Sequence, residues 1–317
     1  MWKDRLKFST KVFFVAILPS FLVFSVLFFP FSDLGSLVTT KVAEATGNQV
    51  YLSFEEMGLH AIPAPGLDFD KVTVDVPGAP SLKMSSLSLS PSIAGLLSFK
   101  PGVNVETEGL FGGSLNLNTK GMNKTDKGVR RQRLDLEIES IRLSTILQEL
   151  GSPLNLNARM NMDADVTLDP SFDEQPEGEL KLDLKPLSLL GGSIDTGVMG
   201  AIDIPPIELG EGKLDANLED GDIRISEAVF GSKSSEVEIK LKGRIGMKIR
   251  NTGRGTKPQF GSYNLDVEIN TTKGFEDKFG IMLSFINKYK TPTNTGNSFR
   301  FKASSSSFSR PVKMEAL

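Results

Sequence analysis

Leu154-Asn155-Leu156-Asn157-Ala158-Arg159-Met160-Asn161-Met162-Asp163-Ala164-Asp165-Val166-Thr167-Leu168 alternates without a break, apolar at every even position and polar at every odd one. Successive side chains of a strand point to opposite faces, so a period of two predicts one strand roughly 50 Å long with a greasy and a wet face. A second run agrees. Val237, Ile239, Leu241, Ile245, Met247 and Ile249 share one parity, and Lys240, Lys242, Arg244, Lys248 and Arg250 share the other. Leu134/Leu136/Ile138, Leu180/Leu182/Leu184, Leu214/Ala216/Leu218 and Tyr263/Leu265/Val267/Ile269 are shorter versions. Glu219-Asp220-Gly221-Asp222 joins two such runs and predicts a tight hairpin, because glycine accepts positive φ. The chain is predicted to be mainly β and antiparallel.

Helical spacing interrupts the alternation. Ser90-Pro91 offers an N-cap and a first-turn proline for residues 92–97, and Ser144 caps a short run closed by Gly151. Phe275 to Tyr289 carries apolar residues at helical intervals. Strand-helix-strand units recur at Leu82–Asn118, Leu134–Leu168 and from Leu265 onward, which predicts an elongated, repeat-like sheet with short helical insertions. Glycine-rich turns recur at Gly109–Ser114 and Leu189–Ser193.

The N-terminal segment has a different character. Val12 to Ser32 is 21 residues without a charge, 15 of them Val, Ile, Leu or Phe. As a helix it would be about 32 Å long, enough for the ~30 Å hydrocarbon layer. Lys3, Arg5, Lys7 and Lys11 flank it on one side, so that side is expected to stay cytoplasmic and the rest to be exported. An uncleaved signal anchor is the expectation. A cleaved signal would need a shorter apolar core and a nearer small-residue site than Ala43-Glu44-Ala45, and a buried soluble helix rarely runs so far without charge. The organisation expected is a cytoplasmic tip and transmembrane anchor over 1–32, a juxtamembrane helix over 33–47 capped by Asp33, and an exported β-domain over 48–317. The protein is thus placed in the inner membrane, single-pass, with a periplasmic C-terminal domain.

Composition removes whole classes of chemistry. With no cysteine, thiol catalysis, disulfides and cysteine-bound zinc are out. His60 is the single histidine; it sits in Gly58-Leu59-His60-Ala61-Ile62-Pro63, read as a surface loop. A net charge of −3 gives no pull toward nucleic acid. Asp163, Asp165 and Asp169 lack the EF-hand pattern, and their spacing is better read as the solvated face of a strand. Gly112-Gly113-Ser114 and Gly191-Gly192-Ser193 lack a phosphate-loop lysine and are read as strand-end turns. No catalytic residue, metal ligand or cofactor site is nominated, and an enzyme is not expected. Lys127, Arg130, Arg131 and Arg133 form a short basic cluster.

The N-terminal anchor, Leu110–Asn118 (LFGGSLNLN), Ser86–Phe99 (SLSLSPSIAGLLSF) and the closing SRPVKMEAL together resemble the type II secretion system protein N family. The same features resemble the AsmA-like group, though this chain is short beside its large members. The first resemblance implies an inner-membrane component of the machine that exports folded proteins, with other envelope components of that system as partners. The second implies an apolar β-groove that binds or transfers lipid. The set Leu154, Leu156, Met160, Met162, Val166, Leu168, Val237, Ile239, Leu241, Ile245, Met247 and Ile249 is either a packed core face or the lining of such a groove. Lys240, Lys242, Arg244, Lys248 and Arg250 are a candidate docking face for a partner or for lipid headgroups.

Overall fold

The computed structural model describes residues 34–60, 64–77, 80–125, 128–152, 155–195, 201–251 and 256–317. The strands are β1 (Tyr51–Ser53), β2 (Glu56–His60), β3 (Gly66–Asp75), β4 (Leu82–Pro91), β5 (Val103–Leu110), β6 (Gly113–Lys124), β7 (Arg130–Arg142), β8 (Leu156–Leu168) and β9 (Glu177–Leu189). They continue as β10 (Gly192–Asp195), β11 (Ala201–Ile204), β12 (Ile207–Glu219), β13 (Asp222–Phe230), β14 (Val237–Asn251), β15 (Thr256–Thr272), β16 (Lys290–Pro292), β17 (Gly296–Ser305) and β18 (Lys313–Ala316). Among the described residues one α-helix precedes them, α1 (Gly35–Ala45), and three lie between them: α2 (Ile93–Leu97), α3 (Leu143–Glu149) and α4 (Lys273–Ser284).

Sixteen of the strands form one antiparallel sheet in the order β1-β3-β4-β5-β6-β7-β8-β9-β12-β13-β14-β15-β17-β16, with β2 on β3 and β18 on β17. The other two, β10 and β11, pair with each other. At ~4.8 Å per strand the main ladder is roughly 60 Å across. The chain exposes 20184 Å², whereas a compact monomer of 34.5 kDa would expose roughly 13,000 Å². A single sheet with little laid over it contributes to this large surface.

The register turns sequence parity into faces. Directly opposed residues share a face, and one row reads Leu67, Leu89, Val105, Leu117, Leu136, Ala164, Leu180, Ala216, Ile225, Gly243, Leu265, Ala303, Met314. Thirteen strands thus contribute no polar side chain to it. Among the described residues, helices cover this face at one end of the strands. Leu34 and Val38 beside α1's start and first turn, with Ile146 of α3, pack onto the cluster around Phe69, Val72 and Ile138. Phe275 and Phe279 of α4 pack on Val237, Ile239 and Ile269.

The hairpin expected at Glu219–Asp222 is present: Asp220 (φ 54) and Gly221 (φ 79) both take positive φ, the signature of a two-residue type I′ turn. Phe111 (φ 47) and Gly112 (φ 78) make the same turn between β5 and β6. Helix starts differ from the sequence reading. Strand β4 runs through Pro91, so the cap of α2 is Ser92, whose Oγ accepts from Gly95 N at 3.2 Å. Helix α3 begins at Leu143 behind Arg142 with no side-chain cap, which displaces Ser144 from that role. Helix α4 also has a side-chain cap, with Thr272 Oγ1 accepting from Phe275 N. Its helical spacing is broken at Phe279 (φ −115), and a 3-10 turn takes over at Asn287–Tyr289. In α1 the capping position is Leu34; Asp33 lies outside the described residues. So does the charge-free span 12–32, and no helix among the described residues is long and apolar enough to cross a membrane.

Candidate functional site

The two faces of the sheet are the features that could carry function, and the register assembles each from runs far apart in sequence. Met162 of β8 opposes Leu182, then Leu214, Ala228 and finally Leu241 of β14. Met160 reaches Ile239 through Leu184, Gly212 and Phe230, and Val166 reaches Ile245 through Gly178, Leu218 and Ile223. The two predicted apolar sets therefore form one surface, with three strands between them. Leu154 lies outside the described residues. Of the rest, Val237 is buried at 2% exposure under α4. Leu156, Met160, Met162, Val166, Leu168, Ile239, Leu241, Ile245, Met247 and Ile249 are half-buried. Met160, Met162, Ile239 and Leu241 join packed clusters, whereas Val166, Leu168, Ile245, Met247 and Ile249 join none. Among the described residues the apolar face is packed beneath α1, α3 and α4, and the strip toward the other end of the strands joins no packed cluster.

The opposite face is charged, and the predicted basic strip lies on it among carboxylates. Lys240 pairs with Glu238 at 3.0 Å and stands opposite Glu268; Lys242 stands opposite Asp266; Arg244 reaches Asp222 at 3.4 Å. The Asn270 amide, and after it the Arg300 guanidinium, hold the Glu268 carboxyl below its ordinary range against the effect of burial. These cations face carboxylates because neighbouring strands alternate with the same period and opposite sign. Lys248 and Arg250 differ: Gln259 and Lys257 stand opposite them. Over β7 to β9 the face turns acidic. Asp135 opposes Asp165, Asp165 opposes Glu179 and Glu137 opposes Asp163, around an open hollow of about 370 Å³. Arg133 offsets part of this repulsion, with Nε donating to Asp165 at 2.9 Å and to Asp135 at 3.2 Å. In the basic cluster Arg131 is likewise engaged, by Glu174 at 2.8 Å and Glu177 at 3.1 Å. Lys127 lies outside the described residues.

His60 ends strand β2, opposite Gly66, where a surface loop was expected. Its Nδ1 is 2.9 Å from Asp68 Oδ1, and Asp68 also accepts from Ser88 Oγ. The order matters chemically. Asp68 sits between the hydroxyl and the imidazole, so the ring has no path to the Ser88 proton, and the trio lacks the geometry of an activated nucleophile. Asp163 and Asp165 lie on the wet face, but Asp169 does not join them. It is buried past the end of β8 and accepts backbone N–H bonds from Ser171 (2.9 Å), Asp173 (2.9 Å) and Glu174 (3.3 Å). Burial pushes its carboxyl up, the three N–H groups pull it down, and the net shift is downward. Asp169 organises a turn. Among the described residues no group of three or more acidic or histidine side chains is placed to hold a metal ion.

No curated protein and no solved structure matches the chain. A family model does, over residues 9–189, and its description is type II secretion system protein GspN-like, Synergistales. That match takes in β1 to β9, including the β5–β6 turn and the long alternating strand β8. Spanning more than half of the 317 residues, it establishes that the chain belongs to the GspN-like family of type II secretion system proteins.

Proposed function

We propose that the protein is a non-catalytic, inner-membrane-anchored part of a type II secretion apparatus, with its sheet on the periplasmic side. Family membership over residues 9–189 carries this reading. The charge-free span Val12–Ser32 behind four basic residues supports the anchor and its orientation. The His60–Asp68–Ser88 order gives no support to hydrolysis. One helix cannot form a protein-sized channel, so such a part acts after the first membrane crossing, by contacting other components of the system. Deleting the gene should lower release of folded proteins into the medium while their passage across the inner membrane continues; normal release would overturn the reading. A reporter fused after Leu317 should be active only on the exported side, with Trp2 retained in the intact mass. A mature N-terminus near Thr46 would replace the anchor by a cleaved signal.

A second reading rests on the open part of the apolar face. Val166, Leu168, Ile245, Met247 and Ile249 are half-buried and join none of the packed clusters of the described residues, while Gln175 from the β8–β9 connection hydrogen-bonds the backbone of Ile249. Acyl chains are the ligand class that such an aliphatic strip fits, which favours a lipid-binding module as the alternative.

A further inference from the structure

The connection from α2 to β5 holds apolar side chains out in water on a rigid support. Phe99 is 96% exposed and Leu97 79% exposed, with Ile93 and Met122 also exposed nearby in the chain fold. The loop beneath is built and hydrogen-bonded. Lys100 N donates to Gly95 O at 2.8 Å, Ser92 N to Gly102 O at 2.9 Å, Gly121 N to Pro101 O at 3.1 Å, and Val103 N to Thr119 Oγ1 at 2.8 Å. Ser92, buried, donates from its Oγ to Asn118. A side chain at Gly102 would run into the Thr119 carbonyl. Phe99 itself takes φ 55, a conformation unfavourable for a bulky residue, and its ring gains no contact that would compensate.

Beside this tip is an open hollow of about 500 Å³ bounded by Phe99, Met122, Lys100, Lys124, Arg130 and Arg131, and no carboxylate among the described residues lines it. Arg131 is held by Glu174 and Glu177. Lys100, Lys124 and Arg130 make no ion pair among the described residues. Two exposed apolar side chains on a narrow point, next to three unpaired cations, match the bilayer interface. There aromatic and aliphatic groups enter the acyl boundary while cations meet lipid phosphates. A protein partner would call for a broad surface of ~800 Å². We infer that the α2–β5 loop docks on an anionic phospholipid surface, with Leu97 and Phe99 inserted and Lys100, Lys124 and Arg130 bound to phosphates. This contact is separate from the proposed anchor and does not depend on the secretion reading.

The chain has no cysteine, so Leu97→Cys in the full-length protein gives a single site for a bimane label. The labelled protein is placed in vesicles carrying nitroxide lipid, and separately in nanodiscs mixed with such vesicles. Each is made of phosphatidylcholine alone or with phosphatidylglycerol. Quenching is expected in at least one arrangement when phosphatidylglycerol is present, and not for a label at Leu150→Cys, at the opposite end of the sheet. Adding Lys124→Glu and Arg130→Glu should weaken the lipid contact by at least roughly 25-fold, about fivefold for each cation removed and more for the repelled carboxylates added. Unchanged hydrogen exchange in β6 and β7 would show that those variants still fold. Quenching at 97 no greater than at 150 in every arrangement would overturn the inference, as would quenching that is equal in phosphatidylcholine alone and survives both charge reversals.

Discussion

Thr107 interrupts an otherwise apolar row, between Leu87 and Leu115, and its buried hydroxyl has no hydrogen-bond partner. Thr107→Val keeps the shape and removes the unpaired group, so it should raise stability by about 1 kcal/mol. A urea midpoint that stays put or falls would show that the hydroxyl is satisfied. Asp169 gives the opposite case. Its folded pKa lies below the unfolded value of about 3.9, so its contribution is present above that pH and is lost as pH falls through the folded pKa. Asp169→Asn should lower the midpoint at pH 7 and flatten the acid limb below about pH 4, since its amide cannot accept from three N–H groups in the same way. An unchanged acid limb would remove Asp169 from the linkage. Period two identified Asp163 and Asp165 as wet-face residues. Asp169 has the same parity, but the strand has ended by then, and parity says nothing about a turn that folds back on its own carboxylate.

Helix α4 shows what an insertion contributes. Phe275 and Phe279 stack with ring centroids 4.3 Å apart and seal Val237, while Glu276 accepts from Asn297 Nδ2 at 2.6 Å and Thr271 Oγ1 at 2.9 Å, tying the helix to β15 and β17. Phe279→Ala should cost roughly 3–5 kcal/mol. The loss should be local: hydrogen exchange should quicken in α4 and the adjacent ends of β14, β15 and β17, with β7 to β9 unaffected. Uniform acceleration would mean that the sheet opens as one unit. The strands themselves were legible, because a half-buried sheet writes its period directly into the sequence. β8 and β14 differ from the predicted runs by one or two residues at their described ends. Helix starts were not. Ser90 and Ser144 have the right side chains for caps, but β4 continues through Pro91 and moves the start of α2 past Ser90, whereas α3 has already begun at Leu143 and takes Ser144 into its first turn.

At the scale of the molecule, parity predicted two greasy runs and the register put them on one face, a step that sequence could suggest only through the number of strands between them. Whether a second layer covered that face was not legible, since packed and open strips share the same period. Met162→Glu and Leu241→Glu probe it. Both sites are half-buried, so a carboxylate there can keep part of its hydration and should cost about 1–3 kcal/mol, leaving the circular-dichroism strand signal in place. Loss of co-purified lipid with the fold intact would support the lipid-binding alternative; global unfolding by both, with no lipid on the wild type, would count against it. The strand order has one more consequence. From β3 to β9, and again from β12 to β15, consecutive strands of the chain pair with each other. Ladder contacts are therefore short in sequence for an all-β protein, and most strand pairing closes only a short loop. A chain emerging N-terminal end first can lay each new strand on the last one formed, and every partial product ends in a usable edge. Because nothing requires the first strand to meet the last, such a sheet can gain or lose a hairpin without re-registering the strands that remain.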